Sequence, residues 1–227
     1  MTRILAIDTA TEACSAALWQ DGAILERYQV APRGHTDLIL PMVEALLAEA
    51  GLVLGQLDAL AFGRGPGSFT GVRITLSVAQ GLAFGTGLPL LGVSNLQALA
   101  QGAHRHDGCE RALAAIDARM GEIYVGGFAL CDGVMEADTA EQVLAPETFL
   151  TATTGHWQQG VGSGFVTYPA LAGRVDGLCE AQPYPRAGDM LPKAVRDWQA
   201  GLGIDAAEAR PVYLRDKVTW QKLPGRE

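Results

Sequence analysis

The strongest constraint on this chain is that one pattern occurs in it twice. Ala6-Ile7-Asp8, an apolar run ending on an acid, returns as Ala115-Ile116-Asp117, and the turn pair Asp21-Gly22 returns as Asp132-Gly133. Both echoes are offset by roughly 110 residues, the mark of a supersecondary unit present in two copies. An Asp-Gly pair between β-rich runs reads as a two-residue hairpin, because both central positions of such a turn want positive φ. Each copy therefore opens with antiparallel strands.

In the first half, residues 4–8, 14–19 and 23–30 read as a three-strand meander. A helix is predicted over 36–50, stopped by Gly51, and a buried-type strand over 57–62. A second helix is predicted over 70–84 and a strand over 89–93. Three strands, helix, strand, helix, strand is the order of an RNase H-like unit. In the second half, 122–130 and 134–136 read as strands, 146–153 as a helix, and a further strand ends at Val161-Gly162. Glycine and proline are dense over 156–185, so only short helices are expected there. The fold class is therefore α/β, with residues 1–105 as a first RNase H-like lobe and 106–227 as a smaller second one. Residues 101–110, with His104 and His106, read as an exposed polar linker at the boundary. Pro211-Val212-Tyr213-Leu214-Arg215 reads as a short strand or a segment docking back on the first lobe.

With 48% hydrophobic and 19% charged residues over 227 positions, the chain can bury a real core. No apolar run reaches the roughly 20 residues of a membrane helix, and the opening run meets Asp8 too early for a signal peptide. The four cysteines form no C-x-x-C pair and read as free thiols in a reducing, cytoplasmic setting. A net charge of −8 argues against this chain alone holding a polyanion. The one dense basic stretch runs from Arg210 through Arg215, Lys217 and Lys222 to Arg226.

Asp8 and Asp117 are expected to face each other across an interlobe cleft. Such a pair can hold hydrated Mg²⁺ or supply a base. Equally, each can accept backbone N–H bonds in the turn that follows its strand. Residues 63–71 form a glycine-rich strand-to-helix loop, which either cradles phosphate or packs tightly, with Ser68 or Thr70 as helix cap. It lacks the Gly-Lys-Ser/Thr ending of a P-loop. Gly162 and Gly164 form too short a motif to define a nucleotide site. The histidines show no metal-ligand spacing. The two first-half helices are apolar nearly all round. A helix on one sheet needs only one apolar stripe, so a partner protein is expected to cover the second face.

Gly65-Pro66-Gly67-Ser68-Phe69-Thr70-Gly71-Val72-Arg73-Ile74, with Ile4-Leu5-Ala6-Ile7-Asp8-Thr9, His35-Thr36-Asp37 and Pro211-Val212-Tyr213-Leu214-Arg215, resembles the TsaB family. These proteins are the dimerization subunits of bacterial tRNA threonylcarbamoyladenosine synthesis. The resemblance implies a two-lobed actin-like (ASKHA) fold and a non-catalytic scaffold that pairs with the catalytic relative TsaD and recruits the ATPase TsaE. tRNA would be met through the complex, and the chain alone would form a homodimer. By motif position the paralogue's metal-binding histidines fall on Asn95 and Leu99, neither a suitable ligand, so no metal is expected. The partner interface is expected at Leu38, Met42, Ala45, Leu46, Val72, Leu76, Ala79 and Ala83. A vestigial nucleotide cleft, with at most weak ATP or ADP binding, would involve Asp8, Thr9, Gly65, Gly67, Asp117, Gly162 and Gly164. The alternatives are an ASKHA-type ATPase or phosphotransferase and, less favoured, a metal-dependent peptidase.

Overall fold

The structure is a computed structural model, and residues 1–215 are described. The basic positions Lys217, Lys222 and Arg226 lie outside the described residues. The first half runs β1 (Arg3–Asp8), β2 (Ala13–Gln20), β3 (Ala23–Val30), α1 (His35–Ala50), β4 (Ala59–Gly63), α2 (Phe69–Thr86), β5 (Leu90–Val93) and α3 (Asn95–Asp107). The second half runs β6 (Arg111–Arg119), β7 (Glu122–Cys131), β8 (Val134–Ala137), β9 (Gln142–Leu144), α4 (Pro146–Ala152), β10 (Trp157–Val161), α5 (Ser163–Thr167), β11 (Val175–Cys179) and α6 (Ala187–Gln199).

Two sheets result. Their strand orders, β3-β2-β1-β4-β5 and β8-β7-β6-β10-β11, are the same path walked twice, with β9 added on β7. In each, the first three strands are antiparallel and the last two join in parallel. The repeat read from the sequence is thus a repeat of topology, and the fold is two-lobed and actin-like. The hairpin turns behave as their Asp-Gly pairs require: φ is 48° and 96° at Asp21 and Gly22, and 49° and 79° at Asp132 and Gly133.

Local signals set the helix ends. Gly51 closes α1 in the left-handed conformation, and the Ser68 hydroxyl caps α2 by accepting from the Gly71 amide at 3.1 Å. α1 turns Ile39, Val43 and Leu46 onto the first sheet and α2 adds Ala79 and Ala83, closing a core with Leu5, Ile7, Leu18, Leu60 and Phe62.

The opposite face of each sheet is covered by a helix from across the boundary. α3 lays Leu96, Leu99, Ala100 and Ala103 on the second sheet, against Ala112, Ile116 and Phe128. α6 lays Ala187, Met190, Leu191 and Ala194 on the first, against Ile4, Ala6, Ala61 and Leu91. A cut at residue 105 therefore divides the strands but not the packing. Nor is 101–110 a linker: α3 runs to Asp107, and its buried glutamines serve the backbone of edge strand β8. Gln97 donates to the Met135 carbonyl at 2.8 Å, and Gln101 accepts from the Met135 amide at 2.9 Å. Those amides satisfy an edge that, among the described residues, has no neighbouring strand. Residues beyond α6 return to the first lobe, where Ile204 pairs with Leu90 and Ala209 is buried in the core. Residues 211–215 take no regular secondary structure.

Candidate functional site

Between the lobes lies a cavity of about 1270 Å³. It is lined by the β1–β2 turn (Ala10, Thr11, Glu12), the start of α1 (His35, Thr36) and the glycine-rich loop with the start of α2. From the second lobe come Ile116, Asp117, Arg119 and Tyr124, and residues 212–215 complete the wall.

Of the two expected acids, only Asp117 reaches this cavity. It is occupied by its own turn, accepting from the Arg119 amide at 2.9 Å and from the Arg119 guanidinium at 3.2 Å. Asp8 is fully buried and does not line the cavity. Its Oδ1 accepts from Asn95 Nδ2 at 2.7 Å, while Oδ2 has no partner. A Cβ placed on Gly63 would lie 2.0 Å from Asp8 Oδ1, which measures how closely β4 seals the acid in. Burial raises the Asp8 carboxyl to about 7 from its ordinary 3.8, against the lowering effect of the Asn95 bond. The same burial, with Asp8 beside it, pushes the Cys14 thiol up to about 12. The expected carboxylate pair across the cleft is therefore not formed.

The glycine-rich loop is likewise engaged by its own chain. The Gly65 amide donates to Asn95 Oδ1 at 2.9 Å, the Ser68 amide to the Ala10 carbonyl at 2.7 Å, and the Gly71 amide to Ser68. Gly67 is small because the β1–β2 turn presses on it: a Cβ there would meet the Ala10 carbonyl at 2.5 Å. Thr9 is spent in the same seam, its hydroxyl donating to the Gly71 carbonyl and its amide to Thr75 Oγ1, both at 2.8 Å. Gly162 and Gly164 lie against β6, where side chains would meet Ala115 at 2.4 and 2.7 Å. Tight packing, the second reading of the 63–71 loop, accounts for Gly67, and Gly162 and Gly164 are held small in the same way.

The expected partner face divides. Leu46, Val72, Ala79 and Ala83 are buried within the first lobe, so these four are core residues. Leu38, Met42 and Leu76 are half-buried against that core, and Ala45 is exposed. Sequence reading missed the most exposed apolar groups on the two helices, Phe84 (89% exposed), Phe69 (56%) and Leu40 (44%). A helical wheel anchored on the buried positions places Phe84 opposite them and Phe69 and Leu40 at the flanks. Part of α2 is covered by the returning C-terminal segment, whose Ala206 carbonyl accepts from Gln80 at 2.8 Å.

Asn95 is fixed between Asp8 and Gly65, and Leu99 is fully buried in the second lobe. Neither lines the cavity. Among the described residues no group of three His, Cys, Asp or Glu side chains converges, and no helix is long and apolar enough to cross a membrane.

The family model described as TsaD, tRNA N6-adenosine threonylcarbamoyltransferase, matches residues 28–166. Over 232 residues, covering 99% of this chain and 100% of the relative, the chain is 48% identical to the tRNA threonylcarbamoyladenosine biosynthesis protein TsaB of Escherichia coli K12. The chain belongs to the TsaB family. The TsaB of Haemophilus influenzae is 43% identical over 237 residues, covering 99% of this chain and 98% of that protein. YeaZ from Pseudomonas aeruginosa superposes with a TM-score of 0.87 at 46% identity, covering 94% of this chain and 100% of that one. A second Pseudomonas aeruginosa crystal structure, described as similar to the peptidase YEAZ, gives 0.88 at 47%, covering 95% and 100%. The TsaB-family likeness thus extends over both lobes.

Proposed function

We propose that this chain serves tRNA threonylcarbamoyladenosine biosynthesis as a non-catalytic subunit, pairing through the outer face of α1 and α2 with a TsaD-type threonylcarbamoyltransferase. The observation that carries the reading is Phe84, 89% exposed on α2, with Leu40, 44% exposed, on neighbouring α1. Large apolar side chains left bare on neighbouring helices are what a protein interface uses as anchors. The state of the cleft supports giving the chemistry to the partner. Asp8 is sealed, the Gly65, Ser68 and Gly71 amides are used internally, and Asn95 and Leu99 stand where the paralogue carries histidines. In this reading the same face pairs two copies when the partner is absent. The TsaE-type ATPase and tRNA join the assembly, not this chain alone, and the setting is cytoplasmic.

Co-purification with a TsaD-type protein tests the pairing, and reconstituted adenosine modification of tRNA tests its purpose. Phe84→Asp should abolish co-purification and modification together while the chain's own thermal transition is retained. Undiminished pairing by Phe84→Asp, or full modification in the absence of this chain, refutes the proposal.

A further inference from the structure

We propose that residues 211–215 form a strap that sets the opening of the interlobe cleft, and that releasing its second-lobe end lets the lobes part. The permanent joint between the lobes is the pair α3 and α6. Ala98 of α3 packs in one apolar cluster with α6, and Arg105 donates to Asp189 at 2.7 Å. Among the described residues, two further ties join the walls of the cavity. One is the Arg119–Glu12 ion pair at 2.7 Å, whose arginine side chain is largely exposed. An exposed pair of that kind holds little. The other is the strap.

At its first-lobe end the Val212 amide donates to the Arg64 carbonyl at 2.7 Å, and Tyr213 lies on Phe69 with its hydroxyl accepting from Arg73 at 2.9 Å. At its second-lobe end Arg215 donates to Glu122 at 3.0 Å and to the Ala118 carbonyl at 3.0 Å. Three residue steps reach at most about 10 Å, so a chain fastened at both 212 and 215 limits how far the cleft can widen there unless one end lets go. The first-lobe end is backed by the pairing of Ile204 with Leu90 and by buried Ala209. Among the described residues, the second-lobe end rests on the Arg215 side chain. Arg215 is therefore the release point, and its charge-assisted bonds are what hold the cleft at this width.

Dipolar electron spin resonance on the full chain tests this. Labels go on exposed Gln29 and Thr148, one per lobe, after Cys131→Ser, since Cys14, Cys109 and Cys179 are buried. Dilution with unlabelled chain keeps the distances intramolecular. Arg215→Ala should broaden the interlobe distribution and shift it to longer distances. Glu122→Ala, which removes the acceptor from the other lobe, should do the same. Arg27→Ala, which breaks an ion pair within the first lobe, should leave it unchanged. Distributions for both strap variants that superimpose on the parent overturn the proposal. So does equal broadening by Arg27→Ala, or failure of both strap variants to fold, which would make these residues part of the core.

Discussion

Replacing Asp8 with asparagine isolates the charge of a group that has no access to the cleft. In the folded chain its carboxyl is raised to about 7, and in the unfolded chain it takes the ordinary 3.8. As pH rises the unfolded chain releases this proton first. The contribution of Asp8 to stability is therefore fully present below about 4, is lost progressively up to about 7, and is level above that. At 1.36 kcal/mol per unit, the native state is disfavoured by on the order of 4 kcal/mol once the acid is ionised. Asparagine retains an acceptor for Asn95 Nδ2 but places an amide where Oδ2 had no partner, a fixed cost of about 1–3 kcal/mol. That cost does not vary with pH, so the slope is the diagnostic. Between pH 5.5 and 8 the stability of Asp8→Asn relative to the parent should rise by about 2 kcal/mol. Urea unfolding followed by tryptophan fluorescence at several pH values measures it. Parallel curves for the two proteins would refute the argument, because they would mean that Asp8 ionises alike in both states.

Leu46→Ala should lower stability by about 2–5 kcal/mol, as a cavity in the first-lobe core requires. Phe84→Asp should change it by no more than about 0.5 kcal/mol while weakening pairing at least 30-fold, an anchor loss of about 2 kcal/mol. Thermal denaturation and sedimentation separate the two effects. Gly162→Ala should destabilise by about 2–4 kcal/mol, since φ is 105° and the new Cβ meets the Ala115 carbonyl. Gly81→Ala, mid-helix with nothing within 4 Å of its Cβ, should raise stability by about 0.5–1 kcal/mol. Denaturation midpoints decide both.

The legible parts of the fold were those written locally. Asp-Gly at 21–22 and 132–133 dictates a turn by its φ preference, and Gly51 and Ser68 mark helix ends through the groups that backbone amides need. What escaped reading depends on long-range packing. α6 carries an apolar stripe at Ala187, Met190, Leu191 and Ala194, which helical periodicity shows despite Pro192 inside it. Nothing local says that this stripe lands on the first sheet and not the second. The outer face of α1 and α2 reads as greasier than it is, because Ala45, Ala48, Gly81 and Gly85 count as apolar but present little surface. Asp8 and Asp117 carry the same local pattern, yet Asn95 and Gly63 close over one, and the cavity receives the other. Two copies of a motif can thus end in different environments.

The exchange of α3 and α6 between lobes ties the chain's synthesis together end to end. The sheet built from residues 3–93 leaves the ribosome with one greasy side bare, and residues 187–199, which cover it, emerge only after the whole second sheet has been made. α3, made just after that sheet, has its apolar side reserved for strands not yet translated. Neither half can be finished before the whole is made, so a truncated message yields a sticky intermediate, not a smaller working protein.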